Sequence, residues 1–273
     1  MQPRHAAAAP ATAAGFVDID RRDGGTQRLE VAWVGAAGSR QPTVVFLHEG
    51  LGSVAMWKDF PERFCAAHGL RGLVWSRRGY GRSSPKPPAE RWGVDFMHEQ
   101  AFDTLPRLLD ALGIARPWLF GHSDGASIGL LHASRHQVAG VVAVAPHLFV
   151  EDVALASIAQ ARVAFESGDL RARLARHHAD PESAFRGWND AWLDPEFRAW
   201  TIAREIESIS APLLAVQGEQ DEYGTMEQIR AIARRLPKTR LLEIPDCGHS
   251  PHRDQPDALV REAGRFILEH SVH

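Results

Sequence analysis

A serine flanked by two glycines opens the search for chemistry. In Pro117-Trp118-Leu119-Phe120-Gly121-His122-Ser123-Asp124-Gly125, an apolar run passes straight into Ser123 and then into a helical pattern. Glycines two residues before and after a serine leave room for a tight strand–turn–helix elbow that projects its hydroxyl into solvent. A hydroxyl held there is a nucleophile once a base stands beside it. Two later stretches supply the partners such a serine needs. Gly218-Glu219-Gln220-Asp221 follows the apolar run Leu213–Gln217, and Pro245-Asp246-Cys247-Gly248-His249-Ser250 follows Arg240–Ile244. Each is a turn at the carboxyl end of a strand, where open parallel sheets gather their functional groups.

Ser123 has a competitor, because Gly125-Ala126-Ser127-Ile128-Gly129 satisfies G-x-S-x-G as well. Ser127 lies a full turn inside the expected helix, whereas Ser123 directly ends a strand. Ser123 is therefore the expected nucleophile. His249 is the expected general base, and the carboxylate orienting it comes from the group Asp221, Glu219, Glu222 and Asp246. An oxyanion would be met by the backbone N–H of Asp124, at a helix N-terminus, and by one in the 49–51 turn. His122, His252 and the His177-His178 pair read as bystanders. None has zinc-ligand company, so no metal and no cofactor is assigned.

These side chains need a scaffold that brings strand ends together. Phe16–Asp20 and Leu29–Val34 alternate apolar and polar residues, and read as a hairpin over Asp23-Gly24-Gly25. Thr43–Leu47, Gly72–Trp75, the elbow strand and Val138–Ala145 are continuous apolar runs. Helical patterns separate them over 56–68 (interrupted near Pro61), 96–112 and 125–135. That alternation predicts a mostly parallel sheet covered on both faces. The rhythm lapses between Pro146 and Ile209, a charged helical stretch with Trp188, Trp192 and Trp200, read as helices inserted over the sheet edge. It then resumes with strands at 213–217 and 240–244 and helices at 226–236 and 258–269.

Composition narrows the class. The 273 residues are 44% hydrophobic and 24% charged, ordinary values for a globular enzyme. Lys+Arg 31 against Asp+Glu 34 leaves no basic footprint for nucleic acid. The longest apolar run is far below the roughly 18 residues a membrane span requires. Cys65 and Cys247 form no CxxC pair, and a reducing cytoplasm is the expected compartment. The alanine-rich residues 1–15 read as a disordered tail. A dinucleotide-binding module is a rival, because Gly50-x-Gly52-x-x-Ala55 follows a strand. It fails its own context, since the next strand ends in Trp75-Ser76-Arg77 where an acidic ribose ligand belongs.

With these pieces in order, the chain resembles the α/β-hydrolase superfamily, its small lidded esterases and carbon–carbon bond hydrolases above all. The matching pieces are Leu47-His48 with its glycine turn, Arg78-Gly79-Tyr80-Gly81-Arg82-Ser83, Gly121–Gly125, Gly218–Asp221, and Gly248-His249 followed by Asp254-Gln255-Pro256. The resemblance implies an α/β-hydrolase fold with a mostly parallel eight-stranded sheet and helices on both faces. Residues 16–146 and 210–273 would form the core, and 147–209 a helical lid after the sixth strand. It selects Asp221 as the third triad member and Gly50 as the second oxyanion donor, beside Asp124. It implies a serine hydrolase acting on a small-molecule carboxylic ester, with carbon–carbon hydrolysis, thioester hydrolysis or a non-catalytic receptor as alternatives. One residue departs from the pattern. Glu49 stands where many relatives carry glycine, and its side chain is expected to turn from the oxyanion toward Arg77 or Arg78. The base is expected to titrate near the unperturbed histidine value of about 6.5.

Overall fold

A computed structural model of the chain describes residues 13–39 and 42–271. Eight strands, β1 (Ala13–Asp20), β2 (Thr26–Gly35), β3 (Val44–Leu47), β4 (Arg71–Trp75), β5 (Trp118–His122), β6 (Gly140–Val144), β7 (Leu213–Gly218) and β8 (Arg240–Ile244), form one sheet. Their order is β1-β2-β4-β3-β5-β6-β7-β8. β2 runs antiparallel to both β1 and β4, and every later pairing is parallel. The expected hairpin and mostly parallel sheet are present. The first strand begins at Ala13, three residues earlier than the alternation suggested, and the rest of the expected tail lies outside the described residues.

The continuous apolar strands bury both faces, with the period-two geometry of a strand sorting them. Val44, Phe46, Phe120, Val142, Val144, Leu214 and Val216 point to one side, where α1 (Phe60–His68) and the closing helix α10 (Pro256–Ser271) cover them. Val45, Leu47, Leu119, Val141, Ala143 and Leu213 point to the other. There they meet α3 (Leu105–Ala111), α4 (Asp124–Arg135) and α8 (Glu227–Arg235). Phe46 packs against Trp57, Phe64 and Phe120 at ring separations of 5.3–6.1 Å. A buried side chain of that size contributes about 1.5–3 kcal/mol.

Two helices differ from the sequence reading in instructive ways. The 56–68 pattern divides into a 3-10 turn (Val54–Trp57) and α1, whose first turn holds Pro61, where its missing N–H costs nothing. The 96–112 pattern is α2 (Phe96–Glu99), a π turn (Gln100–Thr104) and α3, which carries Pro106. In the π turn Leu105 N–H reaches back to the Gln100 carbonyl. Ala101 O is thereby released to accept from His132 Nδ1 of α4 at 2.9 Å. A proline thus ends up stitching two helices together.

Between β6 and β7 lie α5 (Asp152–Ser167), α6 (Leu170–Leu174), α7 (Pro181–Trp192) and 3-10 turns at Pro195–Ala199 and Glu205–Ser208. This insertion shares the apolar cluster of the α4 face through Ile158, Phe165, Phe185 and Trp192. After β8 come α9 (Pro251–Asp254) and α10.

Candidate active site

The elbow is built as its glycines imply. β5 ends at His122, α4 begins at Asp124, and Ser123 between them has φ 54° and ψ −123°. Such a backbone costs a non-glycine residue about 1–3 kcal/mol. A Cβ on Gly125 would lie 2.1 Å from Leu47 O, and one on Gly121 would lie 2.4 Å from Gly125 O. Only glycine lets α4 approach β3 and β5 so closely. Ser127, the competing serine, is fully buried in α4. Its hydroxyl donates to His147 O at 2.8 Å and accepts from His147 N–H at 2.9 Å, a structural tie.

β5, β7 and β8 bring Ser123, Asp221 and His249 to one edge. His249 Nε2 lies 2.9 Å from Ser123 Oγ, and Nδ1 lies 2.8 and 3.0 Å from the two Asp221 oxygens. Of the four candidate carboxylates, Asp221 faces the ring. Glu222 Oε2 instead accepts the backbone N–H of His249 at 3.1 Å, while Asp254 Oδ2 accepts that of Gly248 at 3.0 Å. The base loop is therefore fixed at its backbone as well as its ring. Burial works against a charge on His249. The bond and charge of Asp221, with Glu222 and Glu49 behind it, overcome that and hold it above the ordinary imidazole value, a correction to the expected 6.5. Burial likewise raises Asp221, but its contacts with His249, the Tyr223 N–H and His147 hold it below the usual carboxylate range.

Ser123 and His249 open into a cavity of about 500 Å³. Gly50 and Asp124 line it too, so both expected oxyanion residues border the serine. Trp188 and Trp192 form part of its wall, whereas Trp200 stacks on Phe197 at 5.2 Å away from it. Trp188 closes over the glycine turn, with its Nε1 2.1 Å from where a Cβ on Gly50 would be. Asp124 is buried, and its Oδ1 accepts from Trp192 Nε1 at 3.1 Å. Burial pushes its carboxyl up to about 6, against the pull of Arg77, the Trp192 N–H and His249.

Glu49 does not pair with Arg77 or Arg78. Arg78 is engaged by Glu90, and the Arg77 guanidinium donates to the backbone carbonyls of His48 (2.6 Å) and Glu49 (3.0 Å). The Glu49 carboxylate turns inward, with Oε2 3.6 Å from His122 Nδ1 and Oε1 3.5 Å from Arg253. Burial would raise Glu49, but His122, His252 and Arg253 together hold it well below the usual carboxylate range. The reason for the difference is steric and local. Arg77 is drawn to carbonyl oxygens exposed at the end of β3, which leaves its charge no geometry for the side chain beyond them.

Two of the histidines read as bystanders, His122 and His178, are ties between loops. His122 Nε2–H donates to the His249 carbonyl at 2.7 Å, directly beneath the base. His178 Nδ1 accepts from Gly81 N–H at 2.9 Å, and its Nε2 donates to Leu51 O at 3.0 Å, joining the insertion to the glycine turn. His252 packs its ring 4.7 Å from His122. The sequence reading passed over His147 and Tyr223, both lining the cavity and flanking the base with ring separations of 6.0 and 4.7 Å. His147 could have been found by the rule that found the others, since it follows the carboxyl end of β6. Burial, reinforced by His249, lowers it to about 3, so it is neutral.

An addressable serine, a base bonded to it and a carboxylate bonded to the base can together accept and return a proton during attack on a carbonyl. Among the described residues no three His, Cys, Asp or Glu side chains converge as a metal set. The architecture and this edge define an α/β hydrolase. The chain belongs to the alpha/beta hydrolase family, whose model matches residues 44–262. It is 27% identical over 257 residues to a Caulobacter sp. (strain K31) protein named "Putative carbamate hydrolase RutD", covering 85% of this chain and 92% of that one. It is 24% identical over 257 residues to the mouse sn-1-specific diacylglycerol lipase ABHD11, covering 83% and 81%. The crystal structure of the enol-lactonase from Burkholderia xenovorans LB400 superposes with a TM-score of 0.71 at 21% identity, over 93% of this chain and all of that one. The protein is a hydrolase of this fold.

Proposed function

We propose that the protein is a serine hydrolase that cleaves a small carboxylic ester through an acyl-enzyme. The carrying observation is the continuous bonding from Ser123 Oγ through the His249 ring to Asp221. In this reading His249 takes the Ser123 proton as Oγ attacks the carbonyl. Backbone N–H groups of Asp124 and Gly50 hold the resulting oxyanion, each contributing about 3–4 kcal/mol to the transition state. His249 then protonates the departing alcohol. Water, deprotonated by the same imidazole, releases the acid and restores Ser123 Oγ–H. Asp221 stays ionised and keeps the proton on Nδ1.

The insertion over 147–209 acts as a lid, since Trp188 and Trp192 wall the cavity and exclude water from it. The names of the two sequence relatives both describe cleavage of an acyl–heteroatom bond, which supports ester over carbon–carbon hydrolysis. Cys65 and Cys247 are buried free thiols, each pushed up to about 12 by burial, which suits the cytoplasm. No helix among the described residues is long and apolar enough to cross a membrane. Ser123→Ala should abolish turnover of p-nitrophenyl butyrate while the far-UV dichroism stays unchanged, and a fluorophosphonate should label Ser123. Retained turnover, or labelling of Ser127, would overturn the mechanism.

A further inference from the structure

The cavity changes character from its floor to its mouth. Its buried lining includes Ser123, His249, Asp124, Trp188, Trp192 and Ile158. Its exposed rim carries Lys58, Arg173, Arg176 and Arg253. These four cations come from three separate parts of the chain: the end of the 3-10 turn after β3, α6 with the loop that follows it, and α9. From this convergence we propose that the mouth is a subsite for an anionic group, so that preferred esters carry a carboxylate or phosphate remote from the scissile carbonyl. The inference rests on the ester reading above and names the substrate class for that site.

Most arginines of the insertion are spoken for: Arg162, Arg171, Arg186 and Arg198 each lie within 3.2 Å of a carboxylate. At the cavity, Arg173 has only an exposed Asp169 at 3.8 Å, Arg253 has Glu49 at 3.5 Å, and Lys58 and Arg176 have no ion pair among the described residues. The carboxylates lining the cavity are already occupied. Glu49 faces His122 and Arg253, Asp124 holds the Trp192 N–H, and Glu222 holds the His249 N–H. The chain as a whole carries −3, so a cationic mouth is local and not a reflection of bulk charge. Lys58 also has φ 54° and ψ −131°, nearly the backbone of Ser123. Backbone held in such a region clusters at ligand sites. A cavity of about 500 Å³ is large enough for an acyl or alcohol chain to run from the serine to this rim. Like-signed charge at the mouth of a low-dielectric cleft concentrates anions there, and the effect weakens with salt.

The test compares ester pairs that differ only in a terminal anion. On the acyl side these are mono-p-nitrophenyl adipate and p-nitrophenyl 6-phosphonohexanoate against p-nitrophenyl hexanoate. On the alcohol side they are 4-acetoxybenzoate against 4-acetoxybenzamide. At low ionic strength kcat/KM should favour at least one anionic partner by about tenfold, mostly through KM, and the preference should shrink several-fold at 0.5 M salt. Which arm responds tells carboxylate from phosphate and acyl side from alcohol side. The double variant Lys58→Gln/Arg176→Gln should bring the ratio toward one. Equal rates for every pair, or a ratio that ignores salt and survives the double variant, would overturn the subsite. Binding of monoethyl adipate and ethyl hexanoate to Ser123→Ala protein reads the same preference without turnover. Tighter binding of the monoacid therefore upholds the subsite even if ester hydrolysis fails, and equal binding of this pair together with equal binding of the phosphonate and alcohol-side pairs refutes it.

Discussion

Five buried imidazoles with depressed values make this fold sensitive to mild acid. His48, His132, His147, His178 and His252 are each 5% exposed or less. Burial lowers all five: His132 to about 4, helped by His136, His147 to about 3, His48 and His252 well below 6.5, and His178 below it. A base whose folded value is depressed contributes nothing above its unfolded value. As pH falls below about 6.5, the unfolded chain takes up a proton that the folded chain refuses. At pH 5 the unfolded state holds nearly two more protons at His132 and His147 alone, and the other depressed imidazoles shift the balance the same way. Asp124 opposes them by one, because its folded carboxyl near 6 keeps a proton that the unfolded aspartate has lost. His249, raised in the fold, is protonated in both states at this pH: the stability it confers is fully present below 6.5 and is lost only as pH rises above that value, so it adds nothing to the slope here. Each net proton taken up by the unfolded state steepens the fall by about 1.4 kcal/mol per pH unit. Against a typical total of about 5–15 kcal/mol, stability should fall measurably between pH 6.5 and 4.5. Urea melts at half-unit pH steps read this as a falling midpoint. His132→Gln, far from the cavity and still able to donate to Ala101 O, should remove one proton and flatten the slope by about 1.4 kcal/mol per pH unit. A midpoint constant from pH 6.5 to 5, or a variant with the parent slope, would refute the reasoning.

Other outcomes follow from the same contacts. The acid limb of kcat/KM against pH should have its midpoint above 6.5, because Asp221, Glu222 and Glu49 favour the imidazolium; a midpoint at or below 6.5 contradicts that balance. Glu49→Leu leaves a ring nitrogen of His122 facing hydrocarbon and should cost about 1–3 kcal/mol in urea unfolding. Glu49→Gln still offers His122 Nδ1 a polar partner and should cost visibly less, so equal losses would sink the pairing. Gly125→Ala drives a Cβ against the Leu47 carbonyl and should lower stability by at least about 3 kcal/mol in thermal melts.

How far the sequence could be read depended on range. Ser123, Asp221 and His249 were legible because each ends a strand, and strand ends are local patterns that a parallel sheet then aligns. The helix over 96–112 was legible as a period, but its π turn was not. The turn is set by Pro106 together with His132, and no sequence period records a partner some thirty residues away. The direction of Glu49 was misread for a similar reason. Arg77 is its neighbour across β3 and β4, yet the carbonyls at the end of β3 claim that guanidinium. His122, at the end of β5, becomes a partner of the carboxylate beside Arg253.

Two carboxylates beside an oxyanion site would oppose a developing negative charge, and the fold disarms them differently. Asp124, raised by burial to about 6, is still largely ionised where a neutral His249 could act, and its charge is answered by the Trp192 indole N–H that donates to one of its oxygens. Glu49 keeps its charge and spends it elsewhere. Its carboxylate faces His122 Nδ1 at 3.6 Å, while His122 Nε2–H donates to the carbonyl of His249. The glycine turn, the elbow and the base loop are thereby joined by one side-chain path, Glu49 to His122 to the His249 backbone. A negative charge that would be a liability at the oxyanion becomes, on this path, what holds the proposed base in register with the proposed nucleophile. Because the path ends on a backbone carbonyl, its loss should loosen the 2.9 Å Ser123–His249 contact without altering either residue. Glu49→Leu should therefore lower kcat more than it raises KM for p-nitrophenyl butyrate. A variant with unchanged kcat would show that the Asp221, Glu222 and Asp254 contacts hold the base loop by themselves.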